Sequence, residues 1–177
     1  LITVTNNYAI YMERVFGVSD SAKSMLLMAI LAMSAIGGVI SGFIGDKIGA
    51  LKTLKFILAG WIIALPLISV ATKFIMIIIV TVVVGLLIGS VYTITRAYLS
   101  TLLKKEEISY GFSFYALSER FATLIGPLTW GGIIAFLGIG GFSYRIAILS
   151  MTIFVVIGLI ILSVWKRHGK ILSVDTQ

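Results

Sequence analysis

Residues 115–132 read YALSERFATLIGPLTWGG and set Glu119 and Arg120 side by side in an otherwise apolar run. Successive residues on a helix point about 100° apart, so adjacent charges do not face each other. Phe114, Leu117, Phe121, Leu124 and Leu128 form one apolar stripe, expected to face lipid. Glu119 lies nearly opposite that stripe, on a face with Tyr115, Ala122, Gly126 and Trp130, while Arg120 lies on the flank. Counted from Gly111 at the interface, Glu119 is about 12 Å deep. Side chains lean toward the helix N-terminus, so the long Arg120 can snorkel outward, and the shorter Glu119 cannot. A lone ionised carboxylate at that depth is costly and must be paired, wetted or protonated. Two chemistries answer that need. One is a structural ion pair with Arg120 or Arg96. The other is a cavity carboxylate that binds substrate or carries a coupling proton.

Other polar groups join it. The N-terminal segment carries Thr3, Thr5, Asn6, Asn7, Tyr8 and Tyr11, and helical spacing puts Thr3, Asn7 and Tyr11 on one face. Asparagine often supplies interhelical hydrogen bonds in membranes. Six polar groups within nine residues exceed that need, and point to a water-accessible cavity wall. Further along, Gly85 and Gly89 are followed near the same face by Tyr92 and Arg96, with Tyr92 and Thr93 placed to reach the cavity. Asn6, Asn7, Tyr11, Tyr92, Tyr115, Glu119 and Arg120 are thus the candidate binding residues.

The elements that must position them are membrane helices. The chain has 177 residues, 59% hydrophobic and 12% charged, with a mean hydropathy of +1.12. A soluble domain has about 45–50% apolar and about 25% charged residues. The excess sits in runs of the roughly 20 residues that cross a bilayer, without the alternation of barrel strands. The expected fold is all-α, a six-helix transmembrane bundle. Its spans run to Val15 and over 24–43, 54–71, 74–99, 112–137 and 144–165, with a polar tail over 166–177 expected to fray. The sequence opens on Leu1, and its first segment reads as the second part of a span, so a fragment is expected. The third and sixth spans are nearly pure lipid-type sequence and are expected at the periphery. Ser34, Gly38 and Gly42, and Gly85 and Gly89, offer small-residue faces for close packing of the second and fourth spans.

Nine basic residues fall on one side of these spans and four on the other, with Arg120 inside a span. That asymmetry is expected to place the C-terminus in the cytoplasm. The net charge of +7 therefore reflects topology, and no basic cluster interleaved with aromatics suggests nucleic acid. There is no cysteine, and the one histidine, His168, lies in the tail. Neither a metal set nor a nucleophile–base pair is visible, so no cofactor and no enzyme activity are expected.

The link GFIGDKIGALK (42–52) carries a further constellation. Gly42 would let the second helix pack tightly, Gly49 suits a tight turn, and Asp46 could pair with Arg96, favour a neighbouring helix start, or simply be solvated. Gly42, Asp46, Lys47 and Gly49 resemble the loop motif of the major facilitator superfamily, found between the second and third helices of each six-helix half. The family pattern continues with two basic residues where this chain has Ala50-Leu51 and then Lys52. The resemblance implies that Asp46 and Arg96 help hold a cytoplasmic gate. Residues 95–132, with Arg96, a short charged loop, Phe-x-x-Tyr-Ala-Leu-Ser, a basic residue and Gly-Pro, resemble the vacuole-effluxer-like (autophagy-related permease) branch, as does NNYAIYMERVFGVSD. The branch supports a basic residue at Arg120 more firmly than an acid at Glu119. It implies the C-terminal half of a twelve-helix transporter, rocking against an N-terminal six-helix half around a midplane site. Its expected partners are a small-molecule substrate, amino acids or similar solutes in export or exchange, together with protons and lipid. The location is an integral, multi-pass membrane protein, in the cell membrane if the source is prokaryotic. A rival reading is a stand-alone six-helix scaffold or channel subunit.

Overall fold

The computed structural model describes residues 2–172, with residues 2, 74 and 165–172 described by backbone alone. They form α1 (Ile2–Phe16), α2 (Asp20–Ile48), α3 (Ala50–Val70), α4 (Phe74–Leu102), α5 (Ile108–Leu137) and α6 (Gly141–Leu172), with a 3-10 turn over Lys105–Glu107. Among the described residues, α2 to α6 are each long and apolar enough to cross a membrane. The helices overrun the apolar spans read from sequence, because backbone hydrogen bonding continues where side chains turn polar. Asp46 accordingly sits in the last turn of α2 rather than in a loop. For the same reason α6 carries on to Leu172, past Trp165, so the first seven tail residues are helical; the rest of the tail lies outside the described residues.

The links are short enough to force antiparallel neighbours. α2 and α3 are joined by Gly49 alone, at φ +91°, a left-handed conformation that glycine enters without a Cβ penalty. Gly17 does the same after α1 at φ +61°.

α2 and α4 make the most extensive contact, and glycines explain it. A Cβ on Gly37 would run into the Leu86 backbone, one on Gly89 into the Ser34 carbonyl, and one on Gly85 against Ile30 and Met33. Ser90 Oγ then donates to Gly37 O at 2.9 Å across the seam. Lipid is as apolar as leucine, so close van der Waals contact and such bonds hold the pair, not apolar burial itself. The seam runs through Ile30, Gly37 and Ser41. Gly42, expected to pack tightly, faces open space instead, because it lies a step round the helix from that line.

α3 is one of the two helices expected at the periphery. It packs on both α4 and α6, and Leu54, Ile57, Trp61, Ala64, Leu65 and Ile68 make its buried face at i, i+3, i+4 spacing. Its lipid-like composition reflects a buried face on one side and an exposed apolar face, with Phe56, Ile63 and Val70, on the other.

Two side chains finish its C-terminus. The last carbonyls of a helix lack intrahelical donors. Tyr11 Oη donates to Ile68 O at 2.7 Å, and the Arg145 guanidinium donates to Ser69 O. Ser69 Oγ returns a bond to Arg145 O at 2.9 Å. α3 has no basic residue of its own in that turn, so the cation that suits the helix dipole comes from α6. Arg145 also lies over the Phe16 ring, 5.6 Å from its centroid. At the same end Lys23 bridges Glu13 at 2.7 Å and Asp20 at 2.6 Å, tying α1 to α2.

Candidate functional site

α4 and α5 barely meet along their length, and a cavity of about 200 Å³ opens between them beside the start of α1. Helical spacing builds each wall. α4 contributes Ile88, Val91, Tyr92 and Thr95, which recur at i, i+3, i+4 and i+7. Across from them α5 contributes Tyr115, Glu119 and Ala122, and α1 adds Thr3 and Thr5. Thr3 is seated on α5 at Gly126, where a Cβ would collide with its hydroxyl. That glycine is what lets α1 approach closely enough to close the cavity.

Glu119 lines the cavity, as its helical angle requires, and the apolar stripe lies away from it. Phe114, Leu117, Phe121, Leu124 and Leu128 are 52–71% exposed on the outer side of α5. The half-buried Glu119 accepts a hydrogen bond from Tyr115 Oη at 3.4 Å, one turn away on the same helix. The structural ion pair is not formed. Among the described residues the only ion pairs are those of Lys23 with Glu13 and Asp20, so Glu119 pairs with neither Arg120 nor Arg96. Arg120 is exposed on the flank of α5, outside the cavity lining.

Arg96 takes an unexpected direction. It forms no ion pair with Asp46, which is exposed on α2. It lies on the side of α4 that carries Tyr92, close enough to Tyr92 and Tyr115 to act on both electrostatically.

The candidates on α1 divide. Tyr11 is fully buried and its hydroxyl is used on α3, so it does not line the cavity. Its neighbour Tyr8 is likewise buried, sharing a 2.5 Å bond with Thr81 of α4. Asn6 is exposed outside the lining, and Asn7 donates to Thr3 O at 2.9 Å within its own helix. The α1 residues that do reach the cavity are Thr3 and Thr5. Thr95 joins them on α4, one turn beyond Val91, where its spacing from Tyr92 was a usable signal. Of the motif around Asp46, Gly49 makes the turn, while Gly42, Asp46 and Lys47 stay open or exposed.

A second cavity of about 310 Å³ adjoins the first at Thr3 and Ala122 and is apolar, lined by Leu58, Ile125, Met151, Phe154 and Val155. Among the described residues no group of histidine, cysteine or acidic side chains could hold a metal ion.

This helical arrangement resembles that of the xylose transporter XylE from E. coli in its inward-open conformation, with a TM-score of 0.71 over 92% of this chain. Identity is 17%, so the likeness speaks for the fold, and the chain spans 43% of that transporter's length. No curated protein matches the sequence. The sequence profile of the Major Facilitator Superfamily matches residues 2–174, nearly the whole chain. With six helices among the described residues in the order and packing of one half of such a fold, and that profile over nearly its whole length, the chain belongs to the major facilitator superfamily.

Proposed function

We propose that this chain is the C-terminal six-helix half of a secondary-active transporter that exports or exchanges a small solute by alternating access. The observation that carries the reading is Glu119. It is a carboxylate within a membrane helix that lines a cavity among hydroxyl groups and is not neutralised by an ion pair. Ionisable groups kept inside a membrane mark substrate or ion paths by default. Tyr92, Tyr115, Thr3, Thr5 and Thr95 supply neutral donors and acceptors around it, so a solute with an ammonium or several polar groups fits the lining. An N-terminal half of the same protein would close the open side of the cavity. The resemblance to the vacuole-effluxer-like branch favours amino acids as the solute. The basic-residue asymmetry favours a cytoplasmic position for the α2–α3 and α4–α5 links.

The test uses the full-length protein in proteoliposomes, with candidate amino acids and a pH gradient imposed or absent. Glu119→Gln is expected to slow flux by about tenfold or more, the equivalent of about 1.4 kcal/mol, and to remove any response to the gradient. Unchanged flux and an unchanged response would exclude Glu119 from the transport site.

A further inference from the structure

The two cavities are continuous. They meet at Thr3 and Ala122, which line both. Ala122 lies one turn, about 4.5 Å, along α5 from Glu119 and on the same face. An apolar group attached about three bonds from a cation held at Glu119 therefore arrives at the entrance of the second cavity.

Two small residues keep that second cavity open. Ala122 has only a methyl at the junction, and Gly158 in the α6 wall has no side chain, where a Cβ would meet no atom within 4 Å. Gly126 is different, since Thr3 already occupies the space beside it. The larger lining residues, Leu58, Ile125, Met151, Phe154 and Val155, carry no charge. An apolar cavity of about 150 Å³ takes up benzene, so one of about 310 Å³ has room for an aromatic ring or a branched alkyl group. Among the described residues lining the two cavities, Glu119 is the one charged side chain.

We propose that the joined cavities form a two-part site for an ammonium carried on a bulky apolar group. Glu119 receives the cation, the second cavity receives the apolar group, and Ala122 and Gly158 set the size accepted. A simple amine and an amino acid with a bulky side chain share that chemistry, and they differ in a carboxylate that finds no cation in either lining. The assignment rests on the reading of the Glu119 cavity as a transport site.

The test measures flux kinetics of the full-length protein in proteoliposomes for two pairs of solutes, ethylamine with phenethylamine and alanine with phenylalanine. Within a pair only the apolar group grows; between pairs only the carboxylate changes. A buried methylene is worth roughly fourfold in affinity, so in at least one pair the phenyl-bearing solute is expected to have a KM lower by about tenfold or more. The pair that shows it tells amine from amino acid. Ala122→Leu and Gly158→Leu each put an isobutyl group into the second cavity and are expected to cut that advantage to about threefold or less. Where Ala122→Leu loses all flux, Gly158→Leu decides, since its Cβ meets open space and the helix gains propensity. Equal KM within both pairs would overturn the proposal, as would transport of none of the four solutes. An advantage that survives Gly158→Leu would overturn it too, and a loss there by one factor for every solute would assign the second cavity to a lipid chain instead. Glu119→Gln separates the two levels. If it slows every carried solute while size makes no difference, the transport site stands and the two-part site falls. If it leaves flux unchanged, both fall.

Discussion

The two flanks of α4 are built to opposite ends. On one, Gly85, Gly89 and Ser90 bring the helix against α2 so closely that backbone meets backbone. On the other, Ile88, Val91, Tyr92 and Thr95 face α5 across open space. The sequence positions interleave, so one helix carries both faces within the same three turns. Small side chains on the first flank remove every atom that would hold the helices apart. Medium and large ones on the second flank keep them apart and leave polar tips in the gap. In a lipid solvent, where apolar burial does not drive helix association, this choice of side-chain size decides whether two helices form a seam or a cavity.

Three substitutions probe that contrast through the free energy of unfolding in mixed micelles, measured with SDS. The largest effect is expected for Gly89→Ala, whose new methyl meets the Ser34 carbonyl. Overpacking of up to about 3 kcal/mol, less about 1 kcal/mol gained in helix propensity, leaves a loss of about 2 kcal/mol. Tyr11→Phe comes next, with a loss of about 1 kcal/mol for the bond to Ile68 O. Gly42→Ala should be the mildest and of opposite sign, a gain of about 0.5 kcal/mol, since its methyl meets nothing and the helix stiffens. A loss at Gly42 matching that at Gly89 would break the contrast and show that the glycines act through the whole helix rather than at one seam.

What could be read from sequence was what depends on one helix at a time. The hydropathy runs located α2 to α6, and the angular position of Glu119 relative to its apolar stripe placed it inward, because both are properties of a local repeat. The fates of Tyr11, Arg96 and Gly42 depend on a second helix. Tyr11 shares a face with polar neighbours, but its hydroxyl was drawn to a carbonyl left bare by the end of α3. Arg96 makes no ion pair with Asp46 of α2, an outcome that spacing along α4 does not decide. Gly42 belongs to a glycine-rich run in which the rotation of α2 selects Gly37 instead. The overlooked Thr95 follows from the same α4 face as Tyr92.

The paired bonds at the end of α3 make that helix a measuring rod. α3 contributes nothing to the cavity that holds Glu119, yet Tyr11 of α1 and Arg145 of α6 both fasten to its final turn, at Ile68 and Ser69. Its other end is fixed by a one-residue link at Gly49. The number of residues between Gly49 and Ser69 therefore sets how deep α1 hangs in the bundle, and with it the height of Thr3 and Thr5. Inserting a single residue in α3 would turn both carbonyls by about 100° and shift them by about 1.5 Å. The cavity would be re-gauged by a helix that never touches its contents.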